Sequence, residues 1–166
     1  MLTIRECTDR DVEALERVAP SGLNDVHGGR FRRQQSGESS YLVAVSDGVP
    51  VGHAEIAWNG CPSVDVRQRY PNCPEISGLS VFPAELRGQG IGTAIVRDAE
   101  DRARIRGFAW IGLGVDDENP GAARLYERLG YVSGIRYVFP WSYLDDNGVE
   151  HVVADPGIFM VRNLAS

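Results

Sequence analysis

The spacing of apolar and polar positions changes several times along the chain, and each change marks an element. Residues 2–7 read as a short strand. A helix then opens at Asp9 or Asp11. Val12, Leu15 and Val18 fall three apart on one stripe, until Pro20-Ser21-Gly22 breaks the pattern. Residues 22–38 are polar, glycine-rich and basic, with a poor period, and are expected to form an irregular helix or loop. Two β-rich runs, 40–46 and 50–58, flank Asp47-Gly48, a pair that tolerates the positive φ of a hairpin turn. Residues 59–74 hold three prolines, two cysteines and Gly60, and are expected to be a long loop.

The second half is more regular. Residues 75–82 read as a strand. A helix follows over 91–106, with Ile91, Ala94, Ile95, Ala99 and Ala103 on one apolar stripe. Its i,i+4 pairs, Arg97–Asp101 and Glu100–Arg104, are expected on the wet side, and Gly107 caps its end. Residues 108–115 form a buried strand. Asn119 caps the next helix, and Pro120 occupies its first position, where a missing N–H costs nothing. Ala122, Leu125 and Leu129 line that helix's inner face, and Gly130 stops it. Strands are expected over 131–139 and 158–163. A turn at Asp145-Asp146-Asn147-Gly148 joins 135–144 to 149–153. The order is β-α-α-β-β-β-α-β-α-β-β, without repeats or linkers. That predicts a single domain over 1–166 in the α+β (α/β mixed) class, a mixed sheet with helices on its faces.

Composition adds limits. At 166 residues the chain can bury a core without staples, and 43% apolar with 24% charged residues excludes disorder as the main state. No run of about 20 apolar residues offers a membrane span. Met1-Leu2-Thr3-Ile4-Arg5-Glu6 has no apolar leader core, so a cytoplasmic location is expected. A net charge of -6 argues against a nucleic-acid partner. Cys7, Cys61 and Cys73 are odd in number and widely spaced, which fits reduced thiols. A zinc site from Cys61, Cys73 and His53 is the weaker alternative, because structural zinc usually takes close Cys pairs.

The most informative stretch is 79–93. A strand leads into Arg87-Gly88-Gln89-Gly90-Ile91-Gly92-Thr93, which opens a helix. Glycines at alternate positions leave backbone amides unobstructed. The helix N-terminus adds partial positive charge and Arg87 a full one, which together suit a pyrophosphate. A P-loop would need a lysine that is absent here. A dinucleotide fingerprint would place a third glycine where Thr93 stands, and would follow its strand more closely. Asp116, at the end of the next strand, keeps that rival open.

Residues 74–132 resemble the GNAT superfamily of N-acetyltransferases. Arg87, Gly90 and Gly92 match its acetyl-CoA signature, [QR]-x-x-G-x-[GA]. Asn119-Pro120-Gly121-Ala122-Ala123-Arg124-Leu125-Tyr126, continuing to Tyr131, resembles its second signature. The resemblance implies a GNAT-like, mostly antiparallel twisted sheet with about four helices. It implies acetyl-CoA as acyl donor, with no metal required. Leu79, Ser80 and Val81 would hold the pantetheine arm like an added strand. Amides from Arg87 through Gly88, Gln89, Gly90, Ile91 and Gly92 to Thr93 would hold the pyrophosphate. Asn119 and Ala122 would border the pantetheine. Dimers are common in the family, so a homodimer is a further expectation.

Two residues are candidates for the chemistry. Tyr126, at the edge of its helix's buried face, would protonate the departing thiolate or donate a hydrogen bond to it. A phenol of pKa near 10 suits that task. An alkylamine acceptor is only about 0.04% neutral at pH 7, so a base is needed. Glu75 is the leading candidate, since the family often uses a glutamate near this position. Strand alternation is expected to put Glu75, Ser77, Leu79 and Val81 on one face. Glu55, sharing a face with His53, is the runner-up. Arg30, Arg32 and Arg33 read as a solvated basic face, with contact to an acidic acceptor or to the CoA 3′-phosphate as the weaker alternative. The expected function is acetyl transfer to a small amine or peptide amine in a ternary complex. A catalytically weak acyl-CoA-binding module and a nucleotide-dependent oxidoreductase are the alternatives.

Overall fold

The computed structural model describes residues 1–165. Seven strands form one sheet: β1 (Leu2–Glu6), β2 (Ser39–Ser46), β3 (Val49–Ala57), β4 (Glu75–Val81), β5 (Trp110–Asp116), β6 (Val132–Leu144) and β7 (Glu150–Asn163). Their order is β1-β2-β3-β4-β5-β7-β6. Every neighbouring pair is antiparallel except β4–β5. Five α-helices cover it: α1 (Asp9–Val18), α2 (Val26–Gln35), α3 (Val64–Arg69), α4 (Ile91–Ile105) and α5 (Pro120–Arg128). This is the mixed sheet that the element order predicts and the mostly antiparallel pairing that the family resemblance implies, with five α-helices where about four are expected. No helix among the described residues is long and apolar enough to cross a membrane.

The sheet has a core on each face. On one, α4 and α5 pack over Leu42, Ala54, Ile56, Ile76, Ile111, Leu113 and Val115. On the other, α1 and α2 cover Tyr41 and Val43, while α3 covers Tyr137 and Phe159. The alternation of β2 and β5 residues between these cores is the period of two that pleated strands impose.

Several local readings change. α1 does open at Asp9, and Thr8 before it is the cap: its side chain accepts from the Asp11 N–H while the Asp11 carboxylate accepts from Thr8 N–H (2.8 Å). Residues 22–38 resolve into a 3₁₀ turn, Gly22–Asn24, followed by α2. The stretch 59–74 is not all loop, because Ser63 caps the six-residue α3. β7 runs unbroken through Pro156-Gly157. The Pro156 carbonyl accepts from Asp117 N–H, so its missing N–H also faces the β5 side. There β5 has already ended at the Asp116–Gly157 pair, and no ladder bond is lost.

Glu100 is the sharpest departure. It is fully buried, not on the wet side, because it follows Val96 by one turn on the inner face. Arg97 donates to it (2.8 Å), Tyr131 donates its hydroxyl (2.8 Å), and Arg162 of β7 completes the set. Arg104 pairs instead with Asp101. Glu100→Gln leaves two cations without their anion in a desolvated site. We expect a loss of about 2–3 kcal/mol, seen as a melting temperature lower by roughly 5–10 °C. An unchanged melting temperature would show that the network contributes nothing net.

Candidate functional site

β4 and β5 pair only through Glu75–Gly112 and Ile76–Leu113. Beyond Ile76 the two strands part, leaving a cleft between their carboxyl ends. A cavity of about 390 Å³ fills it, with a contiguous lobe of about 260 Å³ reaching through the sheet. Leu79, Asn119, Ala122 and Tyr126 line both.

The glycine loop closes one end. Gly88 and Gly90 have φ of 79° and 88°, the left-handed region where a side chain would strain the backbone. Gly90 caps α4 without offering a side-chain acceptor, and the first helical bond runs from Ala94 N–H to the Gly90 carbonyl. The N–H groups of Ile91, Gly92 and Thr93 therefore lack helical partners. By contrast α1, α3 and α5 are capped by Thr8, Ser63 and Asn119. Arg87 donates from Nε to the Val81 carbonyl (3.2 Å), which ties the loop to the end of β4. Arg87, Gly88, Gly90, Ile91, Gly92 and Thr93 all line the cavity, as do Leu79 and Val81. Ser80 and Gln89 do not. Ser80 pairs with His53 on the opposite face, and Gln89 bonds the Glu85 carbonyl (3.1 Å).

At the other end Asn119 accepts from Ala122 N–H (3.2 Å), so it is a helix cap and a cleft wall at once. Tyr126 is largely buried and meets Tyr131 edge-on at 5.9 Å. Burial pushes its pKa up, which keeps it a phenol at neutral pH.

The expected alternation on β4 fails at Gly78. Its φ is +65°, and the register with β3 slips between His53–Ser80 and Glu55–Ser77. Gly78 and Leu79 together oppose Ala54, which is a β-bulge. The bulge turns the strand over. Leu79 and Val81 join Ile76 beneath α4, while Glu75, Ser77 and Ser80 share the other face with His53 and Glu55. Glu75 is thus not on the face of Leu79 and Val81. An isolated glycine inside a strand pattern is the signal for this.

Glu75 borders a separate cavity of about 330 Å³, with Arg33, Ser39, Glu55 and Arg67 on its walls. Ser77, the next residue on that face, lines the through-sheet lobe, so the two cavities adjoin along β4. Burial pushes the Glu75 carboxyl up to about 7, the hydrogen bond from the Cys61 thiol opposes this, and the Glu55 charge adds to it. Glu55 differs. Burial would raise it, but hydrogen bonds from Arg33 (2.7 and 2.8 Å) and Ser39 (2.7 Å), with the charges of Arg33 and Arg30, hold it below the usual range. Glu75 is poised to exchange a proton near neutral pH, whereas Glu55 is locked as a carboxylate.

Sequence reasoning misses several groups. The basic face is only partly solvated: Arg30 turns inward, Arg33 stays half exposed while its fork reaches Glu55, and Arg32 lies outside with Asp25 (3.1 Å). Gly114 and Phe139 line the through-sheet lobe without a motif to mark them. Cys61 and Cys73 are buried beside Glu75, apart from the cluster of His53 with His27 and Tyr41, and no three metal-binding side chains converge among the described residues.

Comparisons with known proteins agree on one family. A model of the acetyltransferase (GNAT) family matches residues 9–131, well over half of the chain. An N-acetyltransferase of Methanocaldococcus jannaschii is 35% identical over 94 residues, covering 57% of this chain and 39% of that protein. The chain thus spans about two-fifths of that relative's length. The ribosomal-protein-S18-alanine N-acetyltransferase of Escherichia coli superposes with a TM-score of 0.67 at 20% identity, over 99% of this chain and 94% of that one. An acetyltransferase of Salmonella typhimurium, solved with its cofactor acetyl-CoA, gives 0.66 at 22% identity over 99% and 94%. At these identities the two structures speak for the fold.

Proposed function

Because the chain belongs to the GNAT family of acetyltransferases, we propose that it moves an acetyl group from acetyl-CoA to a primary amine, directly, with both substrates bound at once. One observation carries this reading. The parting of β4 from β5 opens a cleft with uncapped helix amides at one end and Tyr126 at the other. A pyrophosphate suits the first end and a thioester the second. Free backbone groups of β4 beyond Ile76 suit a pantetheine arm laid in as an extra strand. The acetyl-CoA in the Salmonella neighbour supports the same assignment.

The amine arrives from the other face, through the cavity that Glu75 borders. Glu75, near half-ionised at neutral pH, takes the proton that the amine must lose, directly or through a water. The amine nitrogen forms a bond to the thioester carbonyl carbon, and the carbon–sulfur bond breaks. Tyr126 meets the sulfur as it leaves, donating a hydrogen bond or its proton, and the second proton that the nitrogen loses as the amide forms passes through water to the thiolate or back to Tyr126. The products are an acetylated amine and the free thiol of CoA.

The test is thiol release from acetyl-CoA across a panel of primary amines. Release that depends on the amine, with intersecting lines when both concentrations are varied, is the expected result. Parallel lines would mean an acetylated enzyme instead of a ternary complex. Binding of CoA without release from any amine would make the protein an acyl-CoA-binding module.

A further inference from the structure

Arg30 stands where the two faces of the site meet. It reaches from α2 to the bulge of β4, and a Cβ placed on Gly78 would lie within 2.3 Å of its Nη2. Gly78 itself lines the through-sheet lobe. The guanidinium therefore rests against a bare stretch of backbone at the cleft's acceptor side. A larger residue at 78 would push the guanidinium aside.

Arg30 has the weaker pairing among the charges around it. Its Nη1 lies 3.2 Å from His53 Nδ1. A guanidinium can only donate, so that nitrogen accepts and the imidazole is neutral. Burial, then the charge of Arg30, hold His53 down to about 3, so it brings no charge at neutral pH. The Tyr41 ring lies 5.5 Å away, and burial pushes its phenol up to about 12. The one anion nearby is Glu55, at 3.8 Å from Arg30 Nε. Both Glu55 oxygens already receive the fork of Arg33, at 2.7 and 2.8 Å. Arg33 also has the Glu38 charge beside it, so Arg30 is left with the longer contact to a carboxylate that it shares. The weaker partner, Arg30, is only 17% exposed and cannot recover full hydration.

We propose that Arg30 receives a carboxylate of the acceptor, so that the preferred acceptors are free amino acids: primary amines with a carboxylate a few bonds from the nitrogen. A guanidinium edge suits a carboxylate in geometry and charge. Because the guanidinium rests against Gly78, which lines the lobe, a carboxylate that reaches it lies close to the attacking nitrogen. A peptide N-terminus, whose α-carboxyl is an amide, lacks that anion. This rests on the acetyl-transfer reading above and names its substrate class.

The test compares free amino acids with their carboxamides, using thiol release from saturating acetyl-CoA. The acids should be preferred at least about tenfold in kcat/KM, the scale of one charge-assisted hydrogen bond. Arg30→Gln should reduce that preference to near unity, mainly by raising KM for the acid, and Arg30→Lys should keep part of it. Amides that match the acids in the wild type, or a preference that survives Arg30→Gln, would overturn the proposal. If no amine releases thiol, acetyl transfer falls, and the unfolding temperature of the CoA-saturated protein decides the rest. An amino acid that raises it in the wild type but not in Arg30→Gln supports the carboxylate site. Equal or absent responses in the two proteins overturn it.

Discussion

Tyr126→Phe should lower turnover by about 10²- to 10³-fold while changing acetyl-CoA affinity by less than about threefold. The substitution removes one oxygen and keeps the ring. Ring packing against Tyr131 and the cleft wall therefore survives, and so does the fold. What is lost is a proton donor at the lobe shared by both cavity segments. A thiolate leaving into a buried site has little water to stabilise it, so the phenol's contribution falls in the transition state and not in binding. Burial raises the Tyr126 pKa, so its proton is present throughout the working range. A kcat within threefold of wild type would remove Tyr126 from the chemistry and leave it a packing residue.

Glu75→Gln should cost a comparable factor, about 10²- to 10⁴-fold, and should also change the pH profile. In the wild type the carboxyl titrates near 7 because burial disfavours its charge. A base works when ionised, so kcat with both substrates saturating should rise through pH 7 and level off above it. Below that limb it should fall about tenfold per pH unit. Glutamine keeps the shape and cannot take a proton, so the limb should vanish with the activity. The alternative base, Glu55, predicts something else. Its carboxyl sits below the usual range, so kcat would be level across neutral pH and indifferent to Glu75→Gln. A full-rate Glu75→Gln with a level profile would transfer attention to Glu55 or to bulk solvent.

The cleft was legible in the chain because its chemistry rests on backbone. Glycines at 88, 90 and 92, Arg87 before them and Asn119-Pro120 after the next strand are local signals, and each lies on the cleft wall except Pro120. The cavity bordered by Glu75 was not legible, since it is made by tertiary contacts. Arg30 and Arg33 sit in a helix of weak period, and nothing in 26–35 says which arginines face in. Glu55 decides that from β3, through pairing at 22 residues' separation. Glu100 carried an i,i+4 pattern that fits a solvent face, but Arg162 and Tyr131, far along the chain, supply its partners. The six residues of α3 are too few to show a period, and Pro62 and Gly60 beside them read as loop. The bulge at Gly78 had a signal, the lone glycine, yet strict alternation masks it. Its effect is large, because one extra residue turned Glu75 away from the face of Leu79 and Val81.

The most direct measurement is thermal unfolding of the protein with acetyl-CoA, CoA and NAD in parallel. If the cleft between β4 and β5 is an acetyl-CoA site, both CoA species raise the melting temperature and NAD does not. A ligand at a hundred times its dissociation constant adds about 2.7 kcal/mol, a shift of several degrees for a chain of this size. No shift with acetyl-CoA at millimolar concentration would mean that the glycine loop is only a turn into α4, and the acetyl-transfer account would fall with it.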